Sequence, residues 1–334
     1  MDLVVVWALI LVVGVIMYVV LDGFDLGIGI LFPFTRSRQE RDHMMATIAP
    51  VWDGNETWLV LGGVILLAIF PRAYSMLLPA VYLPIFVMLL GLILRGVAFE
   101  FRHRSPGSEH IWRRVFATGS TLATFCQGIV LGHFVGGFNF EDGAHIGGMW
   151  NWLHPFNLFT GAALVAGYGL LGACFLVTKS RGELREWART MAMRLAALVL
   201  IAMAVVSLWT PLVDPEIERR WFTWPDMLWL MPVPFLTAAA LASMWYGLVR
   251  DRTLLPFLSA IAAFLLCFLG LGISLWPYAV PRVLTIWEAA AVPASQQLLL
   301  VGVVIVLPVI LCYTAYTYWV FRGPPSRDDG YGHD

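Results

Sequence analysis

The sequence predicts an all-α integral membrane protein with nine transmembrane helices, its N-terminus outside and its C-terminus in the cytoplasm. Three observations predict it. Of the 334 residues 60% are hydrophobic and 13% are charged, against roughly 45–50% and about 25% in a soluble domain. Nine apolar segments reach, or nearly reach, the 20 or so residues that a helix needs to cross roughly 30 Å of hydrocarbon. Placing the N-terminus outside also puts 17 of the 21 Lys and Arg on the cytoplasmic side, as the positive-inside rule requires.

The segments are 3–33, 52–71, 76–97, 115–137, 155–178, 193–210, 228–249, 256–277 and 298–321. The first reads as a retained helix: Met1-Asp2 offers no basic n-region, and Leu3 to Leu21 is too long for the apolar core of a signal peptide. The second opens with polar residues and the sixth is short. The cytoplasmic connections carry Arg36, Arg38 and Arg41, then Arg95, Arg102, Arg104, Arg113 and Arg114, then Lys179, Arg181, Arg185, Arg189 and Arg194. Arg250, Arg252, Arg322 and Arg327 complete that side, and the outside keeps Arg72, Arg219, Arg220 and Arg282. Outer connections hold Trp150, Trp152, Trp221, Trp224, Trp229, Trp276 and Trp287, whose amphipathic rings suit the headgroup layer. Residues 1–322 read as one transmembrane domain and 323–334 as a short polar cytoplasmic tail.

Composition also excludes several classes. A net charge of −1 provides no broad basic surface for nucleic acid. Cys126, Cys174, Cys267 and Cys312 lie in apolar runs with no C-x-x-C pair, neither a zinc framework nor a disulfide scaffold. Gly27 and Gly29 form a G-x-G inside a transmembrane segment with no strand before it, so it is not a phosphate loop.

Charges inside spans cost about 2.5–3.5 kcal/mol each on insertion scales and mark candidate sites. In the first span, Asp22-Gly23-Phe24-Asp25-Leu26-Gly27 places two carboxylates three residues apart on one helix face. At about 1.5 Å per residue they sit about 21 and 16 Å below Arg36. In the second, Asp53, Glu56 and Thr57 share a face beside Asn55. Asp53 has an equally good reading as an N-cap with Glu56 completing a capping box. In the third, Arg95 is either the counter-charge of the acids or a boundary residue that snorkels, and Glu100 lies nearer the surface. Carboxylates, Asn, Thr and Arg on adjacent helices suit a proton path, or a cation site built from the same groups.

A membrane haem needs His, or His with Met, on facing helices. His43, His103 and His110 fall in inner loops, His145 and His154 at an outer one, and His333 in the tail; His133 alone touches a span. The chain is therefore expected to ligate no haem and no metal.

These motifs, in this order, resemble subunit II of the cytochrome bd family of quinol oxidases, across essentially the whole chain. The resemblance is carried by Asp22 to Gly27, by Ile48-Ala49-Pro50-Val51-Trp52-Asp53-Gly54-Asn55 running to Trp58, and by Arg95-Gly96-Val97-Ala98-Phe99-Glu100-Phe101-Arg102. Trp287-Glu288, Ser295-Gln296 and the aromatic run from Pro308 to Trp319 add to it. It implies two four-helix bundles plus a peripheral helix. It also implies a bacterial inner-membrane complex with a haem-bearing subunit I that oxidises quinol and reduces dioxygen with cytoplasmic protons. By resemblance, Asp53 belongs to the proton route and Trp58 to the oxygen path, and no catalytic residue is in this chain. The short connection at 211–227 resembles the short subgroup that includes the cyanide-insensitive oxidases. Haem b is expected in the partner. Haem d there, a bound quinone and a small single-helix accessory subunit are left open. The competing readings are a proton- or cation-coupled carrier of a small solute, disfavoured because nine helices do not divide into two equal repeats, and a purely structural anchor.

Overall fold

A computed structural model describes residues 2–35, 37–102, 107–141, 144–146 and 148–325, and the fold is all-α with two minimal hairpins. Arg36, His103, Arg104, Arg327 and His333, and with them most of the tail, lie outside the described residues, as does the side chain of His145.

Helix α1 (Leu3–Leu31) is capped by Asp2, whose carboxylate accepts from the Val4 N–H at 3.0 Å, and runs into a 3-10 turn at Phe32–Phe34. The basic connection that follows is itself helical. In α2 (Arg38–Ile48), Ser37 and Glu40 form a capping box, Met44, Met45 and Ile48 are buried, and Arg38 and Gln39 are exposed.

The second span is bent. Helix α3 (Trp52–Ile69) meets α4 (Pro71–Ala80) at 119°. Pro71 has no N–H to continue the ladder and drives the preceding residue out of helical geometry; Phe70 sits at φ −119°, ψ 54°. Residues 76–80, expected at the start of the third span, therefore belong to α4, and the third span is α5 (Tyr82–Phe101). Hydropathy reads both sides of this break as one kind of apolar residue, which is why the boundary was misplaced.

Helix α6 (Glu109–Gly136) leads through the β1–β2 hairpin (Phe140–Glu141, Ala144–His145) to α7 (Pro155–Lys179). The sixth span is far longer than its apolar stretch. Helix α8 (Gly182–Val213) has 32 residues, because its charged first turns are helical before the apolar part begins. The connection after it folds as α9 (Pro215–Phe222) and α10 (Asp226–Leu230). Then come α11 (Pro232–Val249), α12 (Leu255–Leu275), the β3–β4 hairpin (Tyr278–Val280, Leu284–Thr285), α13 (Ile286–Ala289) and α14 (Pro293–Val320). Among the described residues, eight helices are each long and apolar enough to cross a membrane, and the bent α3–α4 pair is the ninth candidate.

Helix pairing gives two groups of four. Helices α1, α3, α5 and α6 form one, through α1–α3, α1–α6 and α5–α6; α7, α8, α11 and α12 form the other, and α1 and α6 both pack on α7 to join them. Helix α14 touches this body mainly along α3 and keeps its apolar surface exposed. Water supplies no driving force between helices in lipid, so close backbone approach matters. A Cβ on Gly27 would stand 1.9 Å from the Tyr168 carbonyl oxygen, and one on Gly172 would stand 2.6 Å from the Gly27 carbonyl carbon. This crossing of α1 and α7 is what buries the acidic turn of α1.

The ends of the bundle keep distinct chemistry. On the side expected to be outer, Arg282 bridges Asp214 at 3.3 Å and donates to the Gly136 carbonyl, Arg72 donates to the Glu288 carbonyl, and Trp287 Nε1 donates to Asp2 at 2.6 Å. That last hydrogen bond holds the Asp2 carboxyl below the usual range.

A buried acid–arginine network as the candidate functional site

Helices α1, α3 and α5 bring five of the expected residues together, Asp22, Arg95 and Glu56 in one bonded group and Asp25 with Asn55 beside it. Asp22 and Asp25 are fully buried on α1. Arg95 on α5, 1% exposed, donates through Nη1 to Asp22 Oδ1 at 2.7 Å and through Nη2 to Glu56 on α3. Asn55, 2% exposed, donates through Nδ2 to Asp25 Oδ2 at 2.6 Å. Local sequence explains the placement. Along α3 the buried residues Asn55, Trp58, Gly62, Ile65 and Ile69 recur every three or four positions and form the stripe facing α1. On α5, a Cβ at Gly91 would lie 2.8 Å from the Gly119 carbonyl of α6, so small residues at this crossing let α5 seat Arg95 deeply.

Burial settles the role of Arg95. An exposed guanidinium would snorkel to water; this one lies between two carboxylates, with the Trp52 ring 5.7 Å from its carbon centre. The network also lies nearer the end of the bundle than the length of α1 suggests. Tyr318, whose hydroxyl donates to Asn55 Oδ1 at 3.0 Å, is two residues from the end of α14.

Two expectations are corrected. Asp53 is not an N-cap: the N-cap of α3 is Val51, two residues earlier and with no side-chain bond, and Glu56 serves Arg95 rather than a capping box. Nor does Asp53 join the buried face. It is exposed in the first turn, close enough to Glu56 for the two charges to interact. Thr57 is likewise exposed and bonds only the Gly54 carbonyl of its own helix at 2.6 Å. Glu100 is half-buried one turn beyond Arg95 and is not part of the hydrogen-bonded network. Trp58 is 1% exposed on the α1-facing stripe, one turn from Asn55.

Four residues enter that sequence reading missed. Besides Tyr318, Tyr168 on α7 donates to Gln127 Oε1 at 3.0 Å, and Gln127 Nε2 donates to the Tyr18 hydroxyl at 2.6 Å. Tyr18 lies one turn from Asp22 on α1. Gln127 was detectable by the argument that found the aspartates, since a lone amide inside an apolar helix also needs a partner. The tyrosines carried no such signal.

The one histidine expected in a span is packed inside the bundle. His133 is buried, its Nδ1 lies 3.4 Å from Asn157 Nδ2, and the Phe138 ring packs edge-on at 4.7 Å. Among the described residues no group of three or more His, Cys, Asp or Glu has the arrangement of a metal site.

An all-α, multi-pass membrane protein with four helices on each side, a peripheral helix and a buried acid–arginine core is the class these features define. The family described as cytochrome bd terminal oxidase subunit II matches residues 3–321, and the chain belongs to that family. It is 27% identical to cytochrome bd-I ubiquinol oxidase subunit 2 of Escherichia coli (strain K12), over 97% of this chain and 95% of that protein. It is 26% identical to cytochrome bd ubiquinol oxidase subunit 2 of Bacillus subtilis (strain 168), over 97% of each. The bd oxidase structure from Geobacillus thermodenitrificans shares its fold, with a TM-score of 0.80 over 96% of this chain and 99% of that one at 18% identity. Family membership sets aside the solute-carrier reading.

Proposed function

We propose that this chain is the haem-free subunit II of a quinol:dioxygen oxidase in a bacterial cytoplasmic membrane, N-terminus out and C-terminus in. It scaffolds a haem-bearing subunit I, which holds haem b, with or without haem d, and the quinol site. Haem supplies the electron transfer and oxygen chemistry of the complex; residues of this chain hold and move protons.

The observation that carries the proton role is the graded exposure of the acids. Asp22 and Asp25 are fully buried, Glu56 is 26% exposed, and Asp53 stands at the surface of the same turn. Three carboxylates around one guanidinium bind and release protons while the net charge of the cluster stays small, which a low-dielectric interior requires. Arg95 orients Asp22 and Glu56, Asn55 orients Asp25, and Asp53 forms the surface end from which a proton passes to the partner or enters from the cytoplasm. Trp58, packed beside this turn, borders the proposed oxygen path. Glu100, five residues beyond Arg95 on α5, is a proposed outer member of the route, reached through water rather than by direct contact.

Asp53→Asn tests this most simply, because an exposed amide at this position disturbs no buried contact. Quinol oxidase turnover should fall several-fold while haem content and subunit assembly match the wild type. Turnover equal to wild type would contradict the role given to Asp53.

A further inference from the structure

The basic end of the first four-helix group carries a second feature, separate from the acid network. Two adjoining clefts of about 440 and 370 Å³ open among the ends of α1, α2, α5 and α6. The larger is lined by Arg38, Arg41, Arg102 and Arg113 with His110 and Glu109; the smaller shares Arg41 and Arg113 and adds Arg114 and Pro33.

The charges do not balance. Glu109 is taken by Arg38 at 2.7 Å, and Asp42 by Arg102 and, at 3.8 Å, by Arg38. Glu40 accepts from the Ser37 N–H at the end of α2. Arg41 donates only to the Thr35 carbonyl at 3.0 Å, so Arg41, Arg113 and Arg114 have no ion-pair partner among the described residues. Burial, and then the charges of Arg113 and Arg102, hold the Arg41 guanidinium below its usual range. Like charges gathered in a partly enclosed space call for an anion with several acceptor oxygens, which guanidinium forks bind in pairs.

The surroundings specify the anion further. The clefts lie where apolar spans end, and large apolar side chains next to the lining residues are bare: Phe34 is 63% exposed, Phe101 49% and Ile111 50%. A small, fully hydrated ion gains nothing from such a border; acyl chains do.

We propose that these clefts bind the phosphate of an anionic membrane phospholipid, with its acyl chains against Phe34, Phe101 and Ile111. The inference does not depend on the acid network conducting protons, and its failure would leave that reading untouched.

Native mass spectrometry of the intact, delipidated oxidase complex tests it, with phosphatidylglycerol, phosphatidylcholine and inorganic phosphate as parallel probes. The complex should retain one more phosphatidylglycerol than phosphatidylcholine. Arg113→Gln, which removes no hydrogen bond or ion pair among the described residues, should lose that copy, and so should Arg41→Gln/Arg113→Gln. Arg250→Gln, a cation at the same end of the bundle on the second helix group, should keep it. Equal retention by Arg113→Gln, Arg41→Gln/Arg113→Gln and wild type would overturn the site. Equal loss in Arg250→Gln would reduce it to general surface charge, and inorganic phosphate competing as well as the lipid would make the occupant a free anion instead.

Discussion

Arg95 is the residue on which the buried chemistry turns. Two charges leave water when Asp22 and Arg95 are buried at 0% and 1% exposure, and their 2.7 Å contact offsets that cost only while both are present. Arg95→Leu leaves Asp22 facing apolar neighbours alone, which should destabilise the subunit by about 3–5 kcal/mol. Thermal unfolding of the purified complex would show this as an earlier transition, and Asp22→Leu/Arg95→Leu should recover part of the loss. A single variant as stable as wild type would mean that the pair contributes nothing. Asp22 and Asp25 were legible in the sequence because apolar residues flank them on both sides, leaving burial with a partner as the only affordable state. Asp53 was legible only as an ambiguity. An Asp followed three residues later by Glu is the signature of a capping box, and that local pattern does not reveal that α3 is capped two residues sooner, at Val51.

At the scale of elements, the spans were readable and their ends were not. Apolar length finds a helix inside lipid, but charged turns continue it unseen, as in the first turns of α8, or form a helix of their own, as in α2. Pro71 breaks the second span where a uniform apolar pattern runs on, so the start of α5 was misplaced. Helix contacts are equally invisible to hydropathy, yet they hold the site. Gly27→Ala forces a methyl into the Tyr168 carbonyl, since the space is 1.9 Å. Helices α1 and α7 must then move apart, and overpacking of this kind costs roughly 1–3 kcal/mol or more. The expected result is lower yield of assembled complex and a reduced melting temperature. Gly63→Ala, where a Cβ meets nothing within 4 Å, should behave as wild type. Equal behaviour of the two variants would show that the crossing tolerates a wider gap.

The whole molecule is a membrane body with one polar core. Its all-α character, its count of membrane-crossing candidates and its family were all present in composition and motif. Of the basic residues assigned to the cytoplasmic side, Arg95 proves to be an internal partner rather than a surface charge; the excess at that end survives without it. The hydrogen-bonded chain of Tyr18, Gln127 and Tyr168 beside the acids was not legible, because it depends on how α6 and α7 cross α1. The central claim is that this chain holds no haem itself and works as the second subunit of a haem-bearing oxidase. A reduced-minus-oxidised absorbance spectrum of the tagged, mildly solubilised protein, with the co-purifying chains resolved on a gel, tests it directly. The account predicts haem bands that accompany a second hydrophobic chain and vanish when that chain is stripped away. Haem bands that stay with this chain alone, or a colourless protein that purifies alone in good yield, would contradict it.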